Sequence, residues 1–241
     1  SNGQQADVAL NLGNLSPAGN PLTYGWPWGV WTDGTRLAVV ATTGSAILFW
    51  NSFPTVDDAK PDYVVKLPQF GTPRNISTDG STYFFVGDHN AKVNGNPGTF
   101  FWNAYPTAVN QPYDFYRDEW IKGIQLPGGK LVAGGLSSIY LWDNLPTTAG
   151  HAPSLILKPP MYKNGDGVDV LWAGGRLFVN NYNGNNVLVF NGLPDNAGQL
   201  PDFALGSPTT YAQTLDSIHY IQNPVLASDG TRLVATSDFD R

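Results

Sequence analysis

Cysteine is absent from this chain of 241 residues, glutamate occurs once, as Glu119, and charged residues make up only 13% of it. Without cysteine there can be no disulfide, no thiolate metal site and no attached c-type haem. Glutamate favours helices and is depleted in strands, so its scarcity argues against a helical protein. No apolar run approaches the roughly 20 residues of a membrane-spanning helix.

Positive charge is also scarce, because the net charge is −6 and no group of Lys or Arg stands out along the sequence. A protein that binds a phosphate backbone needs such a basic surface, so we expect no nucleic-acid partner. Low charge with many Asn, Thr and aromatic residues favours an extracellular or cell-surface protein, with the periplasm as another location. No signal peptide is found at Ser1, so we expect a mature form or a fragment.

Glycine and proline are abundant, with 27 and 19 copies, and 41% of the residues are hydrophobic. This composition is typical of a folded chain made of many short strands joined by tight turns. Three short blocks recur along it. Four copies of an aromatic-Asn-Pro block lie at 49–54, 101–106, 141–146 and 189–194. Five Asp-Gly or Gly-Gly turns lie at 33–37, 79–83, 128–131, 174–177 and 229–233. Pro/Asp-rich linkers lie at 61–65, 113–115, 153–157 and 201–205.

Each repeat predicts four antiparallel strands. An Asp-Gly turn between apolar runs is a strong hairpin signal, and it joins the first strand to the second. The third strand ends in the aromatic-Asn block, where proline breaks the ladder, and the fourth follows the linker. Four strands in about 45 residues correspond to one blade of a β-propeller. We expect the aromatic residue of each block, such as Trp50, to pack between blades.

We therefore predict an all-β protein, a single β-propeller domain over residues 1–241 with about five blades. Residues 6–10 match a fourth strand, and residues from 229 onwards supply a first and a second strand. The last blade would then be a composite of both termini that lacks its third strand. Three explanations stay open: the chain is a piece of a longer propeller, residues between the ends were lost or left out, or a neighbouring molecule inserts the missing strand.

The blocks Asp-Gly-x-x-Leu-x-Val, Val-Leu-Val-Phe-Asn-x-Leu-Pro and Pro-Asp-x-x-Leu-Gly resemble the NHL-type β-propellers in a divergent bacterial form. The resemblance covers nearly the whole chain and implies a propeller. That group includes protein- and RNA-binding scaffolds, a metal-dependent lyase and sugar-lactone hydrolases. The resemblance therefore does not select a function.

A ligand site is predicted at the mouth of the central channel, which the first strands of a propeller line. Alignment on the turns places Trp28, Arg74, Lys122, Val168 and Pro224 in one ring, with Gly29, Asn75, Gly123, Asp169 and Val225 beside them. The preceding loops add Tyr24, Trp26, Glu119, Trp120, Asp166, Asp216 and His219. The candidate ligand-binding residues are Trp26, Trp28, Arg74, Glu119, Lys122 and Asp169. Alternatively, Arg74 and Lys122 are solvated or pair with Asp166 or Asp169, and the two tryptophans pack between blades.

Signals for catalysis and metal binding are weak. Glu119 with Asp166 or Asp169 is the one carboxylate pair that a glycosidase could use, and no motif supports it. His89, His151 and His219 fall in different parts of their blades, which argues against a shared metal site. Residues 164–169 place oxygen donors at alternate positions, so Asp166 and Asp169 are candidate Ca²⁺ ligands, although the bidentate glutamate of an EF-hand is missing. Otherwise we expect no cofactor.

The leading hypothesis is a non-enzymatic extracellular or surface propeller that binds a protein or glycan partner, or forms an assembly through its incomplete blade. The alternatives are a hydrolase or lyase with its site at the channel mouth, and a structural module of a larger chain.

Overall fold

The computed structural model describes residues 5–16, 23–93, 95–163, 168–212, 221 and 224–237. The chain divides into two compact units, Ser1–Asp118 and Glu119–Arg241. Nearly all the regular structure is antiparallel sheet, and each sheet follows the chain from strand to strand. No helix in the described part has the length and apolarity that crossing a membrane requires.

The first unit begins with the short helix α1 (Leu12–Leu15) and contains two four-stranded sheets. The first sheet consists of β1 (Pro27–Thr32), β2 (Leu37–Ala41), β3 (Ala46–Trp50) and β4 (Tyr63–Val65). The second sheet consists of β5 (Pro73–Thr78), β6 (Phe84–Asp88), β7 (Gly98–Trp102) and β8 (Phe115–Arg117).

The second unit contains two further four-stranded sheets and a hairpin. The third sheet consists of β9 (Ile121–Gln125), β10 (Leu131–Gly135), β11 (Ile139–Trp142) and β12 (Leu155–Leu157). The fourth consists of β13 (Val170–Ala173), β14 (Arg176–Asn181), β15 (Asn186–Phe190) and β16 (Phe203–Leu205), with a 3₁₀ turn at Tyr182–Gly184. The hairpin pairs β17 (Leu226–Ser228) with β18 (Leu233–Ala235).

The predicted Asp-Gly turns form the first hairpin of a sheet as expected. The Asp33 carboxylate accepts the N–H groups of Thr35 and Arg36 at 2.9 and 2.7 Å, and Gly34 takes a φ of 87°. Glycine adopts that positive φ without the steric penalty of a side chain. Asp79 and Asp229 accept the equivalent N–H groups in their own turns.

The aromatic residue that ends each third strand lies in the core, as predicted. Trp50, Trp102, Trp142 and Phe190 are all buried. Each of the three indole N–H groups donates to a carbonyl nine residues further along, with donor–acceptor distances of 2.9 to 3.2 Å. In three sheets the aspartate of the Pro/Asp-rich linker accepts the N–H of the Asn that follows the aromatic residue. The linker therefore fixes the end of the third strand.

The N-terminal segment occupies the position of a fourth strand although no strand is assigned to residues 5–11. The Asp58 N–H donates to the Ala9 carbonyl at 3.0 Å, as the Asn110 N–H donates to the Val64 carbonyl of β4 at 3.0 Å. The Asp58 carboxylate also accepts the Asn11 N–H at 2.8 Å, and the Asn110 side-chain oxygen accepts the Lys66 N–H at 2.9 Å. Ala9 therefore stands beside the first sheet as β4 stands beside the second.

The cores of the two units differ in chemistry. Between the first two sheets the core is aromatic: Phe49 packs on Tyr63, Phe84 and Tyr105 with ring centroids 4.8 to 5.6 Å apart. Between the third and fourth sheets it is mainly aliphatic, with residues such as Val132 and Leu188. The repeat therefore preserves strand register and turns while the packing side chains vary.

Candidate functional site

Trp28 and Arg74 lie at equivalent irregularities of β1 and β5. The pairing of β1 with β2 shifts between Pro27 and Val30, and that of β5 with β6 shifts between Pro73 and Asn75. A β-bulge of this kind bends the strand and redirects the side chain of the extra residue. The structure thus gives Trp28 and Arg74 the same local geometry in neighbouring sheets, as the turn alignment predicted.

The two side chains are stacked. The Arg74 guanidinium carbon lies 4.3 Å from the centroid of the Trp28 ring, which is cation–π geometry. Arg74 is only 6% exposed, so its charge is largely removed from water. Trp28 in turn meets Trp26 edge to face, with centroids 5.4 Å apart and an interplanar angle of 67°. The buried cation therefore supports Trp28, and Trp28 supports Trp26.

Trp26 is exposed and its backbone is strained. Its φ is 58°, in the left-handed region that large side chains rarely adopt, and the residue is 56% exposed. The Thr42 N–H donates to the Trp26 carbonyl at 3.1 Å, which helps hold this conformation. Such backbone costs about 1 kcal/mol or more and collects at functional sites. A large aromatic side chain presented to solvent at that cost is the strongest functional signal in the first unit.

An apolar groove of about 330 Å³ adjoins this aromatic cluster. Val30, which lies on β1 with Trp28, is 68% exposed, whereas the equivalent Ile76 of β5 is buried. The groove lies among Leu10, Leu12, Pro27, Trp28, Gly29, Val30, Leu37 and Val39. Most of its walls are aliphatic or aromatic, so it offers apolar contact with few hydrogen-bonding groups.

In the second unit, Lys122 and Asp169 form an ion pair. The Lys122 Nζ lies 2.6 Å from Asp169 Oδ1, and the Leu226 N–H donates to Oδ2 at 2.8 Å. The Asp169 N–H donates to the side-chain oxygen of Asn180 at 2.7 Å, and the Asn180 amide group donates to the Pro224 carbonyl at 3.0 Å. Asp169 and Asn180 are buried. These contacts connect β9, β14 and β17, and they match the alternative in which Lys122 pairs with a channel carboxylate.

The register corrects the alignment that placed Lys122 in one ring with Trp28 and Arg74. In the strand pairing, Lys122 lies opposite Gly134, which is the fourth residue of β10. Asn75 lies opposite Gly87, which is the fourth residue of β6. Lys122 is therefore equivalent to Asn75. The error arose because the first glycine of the β9–β10 turn, Gly128, lies three residues after the end of β9, whereas Gly34 and Gly80 lie two residues after the ends of β1 and β5.

The remaining candidates are dispersed or lie outside the description. Glu119 is half-buried just before β9, His89 follows β6, and His151 lies between β11 and β12. Asp166, Asp216 and His219 lie outside the described residues. Within the described ranges, no three His, Asp or Glu side chains come together as a possible metal site. The proposed Ca²⁺ ligands Asp166 and Asp169 thus stay a prediction.

Several solved structures are similar in fold to this chain. A putative 6-phosphogluconolactonase from Bacteroides uniformis is similar over 88% of this chain and 63% of its own, with a TM-score of 0.50 and 14% identity. Glutaminyl cyclase from Myxococcus xanthus matches 70% of this chain and 67% of its own at TM-score 0.40 and 13% identity. Hsv2 from Kluyveromyces lactis matches 89% and 57% at TM-score 0.46 and 14% identity.

The protein is an all-β chain with the architecture of a β-propeller, as predicted. At these identities the likeness describes the fold alone, because one propeller fold hosts many activities. The chain spans less than two thirds of the lactonase and of Hsv2. No protein-family model matches the sequence, and no curated protein matches it.

Proposed function

We propose that this protein is a non-enzymatic propeller that binds a glycan on the aromatic cluster formed by Trp26, Trp28 and Arg74. The observation that carries the proposal is Trp26, a large side chain that is 56% exposed on a backbone with φ of 58°. An exposed, rigid indole face is suited to stacking on the apolar face of a sugar ring. The Arg74–Trp28 stack, at 4.3 Å, supplies the rigidity.

The state of the ionisable residues favours binding over catalysis. A catalytic carboxylate must be able to reach a substrate proton or a reacting carbon. Both oxygens of Asp169 are already engaged, one by Lys122 at 2.6 Å and one by the Leu226 N–H at 2.8 Å. The hydrolase or lyase alternative around Arg74, Lys122, Glu119 and Asp169 therefore rests on four residues of which two, Lys122 and Asp169, bind each other.

We also propose an extracellular or surface location and repeats of NHL type. The low share of charged residues, 13%, is compatible with that location. The recurring Asp-Gly turns and the linker aspartates that close the third strand in three of the sheets support repeats of this kind.

A protein partner is the second candidate, and the apolar groove favours it. Val30 is 68% exposed beside about 330 Å³ of mainly apolar space. Exposed apolar patches of this kind often mark protein-interaction sites. An apolar side chain of a partner would gain contact there, whereas a sugar would find few hydrogen-bonding groups.

A glycan panel tests the main proposal. The purified chain is screened for binding, and the dissociation constant of the best ligand is measured for wild type, for Trp26→Ala and for Phe53→Ala. Phe53 is an exposed aromatic residue of the same unit, 49% exposed, and serves as the matched control. We expect Trp26→Ala to weaken binding about tenfold or more, which corresponds to the loss of about 1.4 kcal/mol of stacking free energy. Absence of any glycan ligand, or equal effects of both substitutions, would refute the proposal.

A further inference from the structure

A cleft of about 440 Å³ opens in the first unit, between the β2–β3 turn and the segment that leads from β4 to β5. Thr43 and Ser45 line it from the turn. Lys66 and Leu67 line it from the segment, and Lys92 lines it from the β6–β7 connection. The volume lies in the range of about 300–1,000 Å³ that is usual for small-molecule sites. Among the described residues, those around the cleft include two lysines and no carboxylate.

Hydrogen bonds fix the backbone on both sides of this cleft. The Ser45 hydroxyl group donates to the Gly71 carbonyl at 2.7 Å, which joins the turn to the segment before β5. The Lys92 N–H donates to the Gln69 carbonyl at 2.8 Å. The Lys66 N–H is also bound, by a side-chain oxygen at 2.9 Å. Both lysines therefore project from a fixed backbone, so a ligand that binds them has to order little more than their side chains.

The two lysines of the cleft have no ion-pair partner among the described residues. Lys122 and Lys130, by contrast, each bind an aspartate. Two positive charges that face one space repel each other, and an anion placed between them removes that repulsion. A cleft lined by charge of one sign also concentrates counter-ions. The cleft between Lys66 and Lys92 therefore has the electrostatics of an anion-binding site.

Asp88, at the end of β6, is a carboxylate that the Lys92 charge reaches. Burial raises the pKa of Asp88, and the Lys92 ammonium group acts in the opposite direction. One oxygen of Asp88 accepts the Gly71 N–H and the other accepts the Thr72 N–H, both at 2.8 Å. Because Asp88 is fully buried, these oxygens hold the loop before β5 and do not enter the cleft.

The cleft adjoins the aromatic cluster of Trp26 through the β2–β3 turn. The Thr42 N–H donates to the Trp26 carbonyl at 3.1 Å. The next residue, Thr43, donates its N–H to the Gly25 carbonyl at 3.3 Å and lines the cleft. The turn thus has the backbone of Trp26 on one side and the two lysines on the other. A ligand of several linked rings, such as an oligosaccharide, could contact both.

The two lysines occupy positions that vary between the repeats. Lys92 lies in the connection 89–97, which is the longest between a second and a third strand in the four-stranded sheets. The position directly after the fourth strand differs among these sheets, where it holds Lys66, Asp118, Lys158 and Gly206. The blade architecture therefore does not require a lysine at either place. Loop residues that a scaffold does not need for folding are the usual carriers of binding.

We propose that Lys66 and Lys92 bind the anionic group of an acidic saccharide, a carboxylate or a sulfate, while Trp26 contacts one of its rings. This inference rests on the proposed glycan function and narrows it to charged glycans. An ammonium group is a compact charge with three rotatable donors, so it donates to carboxylate and sulfate oxygens alike.

Matched pairs of oligosaccharides test the proposal on the full-length chain by isothermal titration calorimetry. Oligogalacturonate is compared with its methyl ester, and a sulfated maltooligosaccharide is compared with the unsulfated one. We expect the charged member of at least one pair to bind about tenfold more tightly than the neutral member. The advantage should shrink at about 0.5 M NaCl, because salt screens the two ammonium groups. The pair with the larger ratio identifies the anion as carboxylate or sulfate.

Lysine variants assign this preference to the cleft. Lys66→Ala combined with Lys92→Ala should reduce the affinity for the charged member to that for the neutral member. Lys66→Arg combined with Lys92→Arg keeps both charges and should retain the preference. Lys158→Ala is the matched control, because Lys158 is an exposed lysine at the position equivalent to Lys66, and it should stay within about twofold of wild type.

The outcomes separate this inference from the proposed function. Trp26→Ala should weaken binding of charged and neutral saccharides alike. Equal or weaker binding of the charged members, or equal losses in the alanine double variant and in Lys158→Ala, would overturn the inference and leave the glycan proposal intact. Absence of binding to any saccharide, charged or neutral, would refute the proposed function and this inference together.

Discussion

Each unit places a cation near the start of a first strand, and the cation has a different kind of partner in each unit. In the first unit Arg74 lies 4.3 Å from the face of Trp28. In the second, Lys122 lies 2.6 Å from a carboxylate oxygen of Asp169. A planar guanidinium suits a ring face, and a compact ammonium suits a carboxylate. The comparison shows that equivalent strands of a repeat can support different chemistry, because Arg74 lies at a shift in strand pairing and Lys122 lies in a regular pairing one position further along.

The difference also separates a binding surface from a structural link. Asp169 is buried and joins Lys122 to the backbone of β17, so its contacts are directed inwards. The Arg74–Trp28 stack leads outwards instead, to the exposed and strained Trp26. We therefore expect substitution of Asp169 to change mainly stability, and substitution of Trp26 to change mainly binding.

The largest effect should come from Asp169→Ala. Removing this carboxylate leaves the Lys122 ammonium and the Leu226 N–H without the partner that they have in the structure. Breaking a buried ion pair from one side costs about 3 kcal/mol or more. Urea unfolding monitored by fluorescence measures the change.

The matched control for that substitution is Lys130→Ala. Lys130 and Asp143 are paired at 2.9 Å in the same unit, but both side chains are more than half exposed. Exposed pairs contribute about 0–1 kcal/mol, so this variant should remain close to wild type. Equal losses in the two variants would show that the Lys122–Asp169 contact is no more structural than a surface pair.

A smaller effect is expected for Arg74→Lys. The lysine keeps the charge and loses the planar stack on Trp28, and such a contact is worth about 1–2 kcal/mol when it is removed from water. Because Trp28 supports Trp26, glycan affinity should fall together with the melting temperature. If thermal melts and binding titrations both remain at wild-type values, the stack does not position the aromatic cluster.

The smallest effect concerns the turn aspartates, which both units use in the same way. Hydrogen bonds from the Arg36 backbone and side chain and from the Thr35 N–H lower the pKa of Asp33 from 3.8 to about 2. The pKa of Asp229 is lowered by the same kinds of contact. A depressed folded-state pKa gives stability that is present above the unfolded value and is lost as the pH falls towards the folded value.

The melting temperature should accordingly decline between about pH 4 and pH 2. In Asp33→Asn the decline over that interval should be shallower, because the amide does not titrate. Parallel pH profiles of the melting temperature for the two proteins would show that Asp33 does not contribute through its charge.

Local features of the fold could be predicted from the sequence. The Asp-Gly turns and the buried third-strand aromatics, such as Trp102, follow from short-range spacing and from burial. The fourth-strand position of residues near Ala9 was also predictable, because the segment repeats the block at β4. The linker aspartates were visible as a motif, but their role in closing the third strand is evident only from the hydrogen bonds in the structure.

The residues of the candidate site could be predicted from the sequence, but their positions relative to one another could not. The shifts in β1 and β5 that direct Trp28 and Arg74 have no sequence marker of their own. The later position of the first glycine in the β9–β10 turn displaced Lys122 in the alignment. The left-handed backbone of Trp26 could not be foreseen, because side chains other than glycine and asparagine rarely adopt it.

The most direct test of the central claim is the glycan affinity of Trp26→Gly, compared with its free energy of unfolding. Glycine accepts a φ of 58° without strain, so unfolding should stay within about 1 kcal/mol of wild type while binding is lost. That result would show that the chain tolerates a strained backbone in order to present an indole. Retained binding, together with a loss of stability of about 3 kcal/mol, would show instead that Trp26 is a packing residue and would contradict the account.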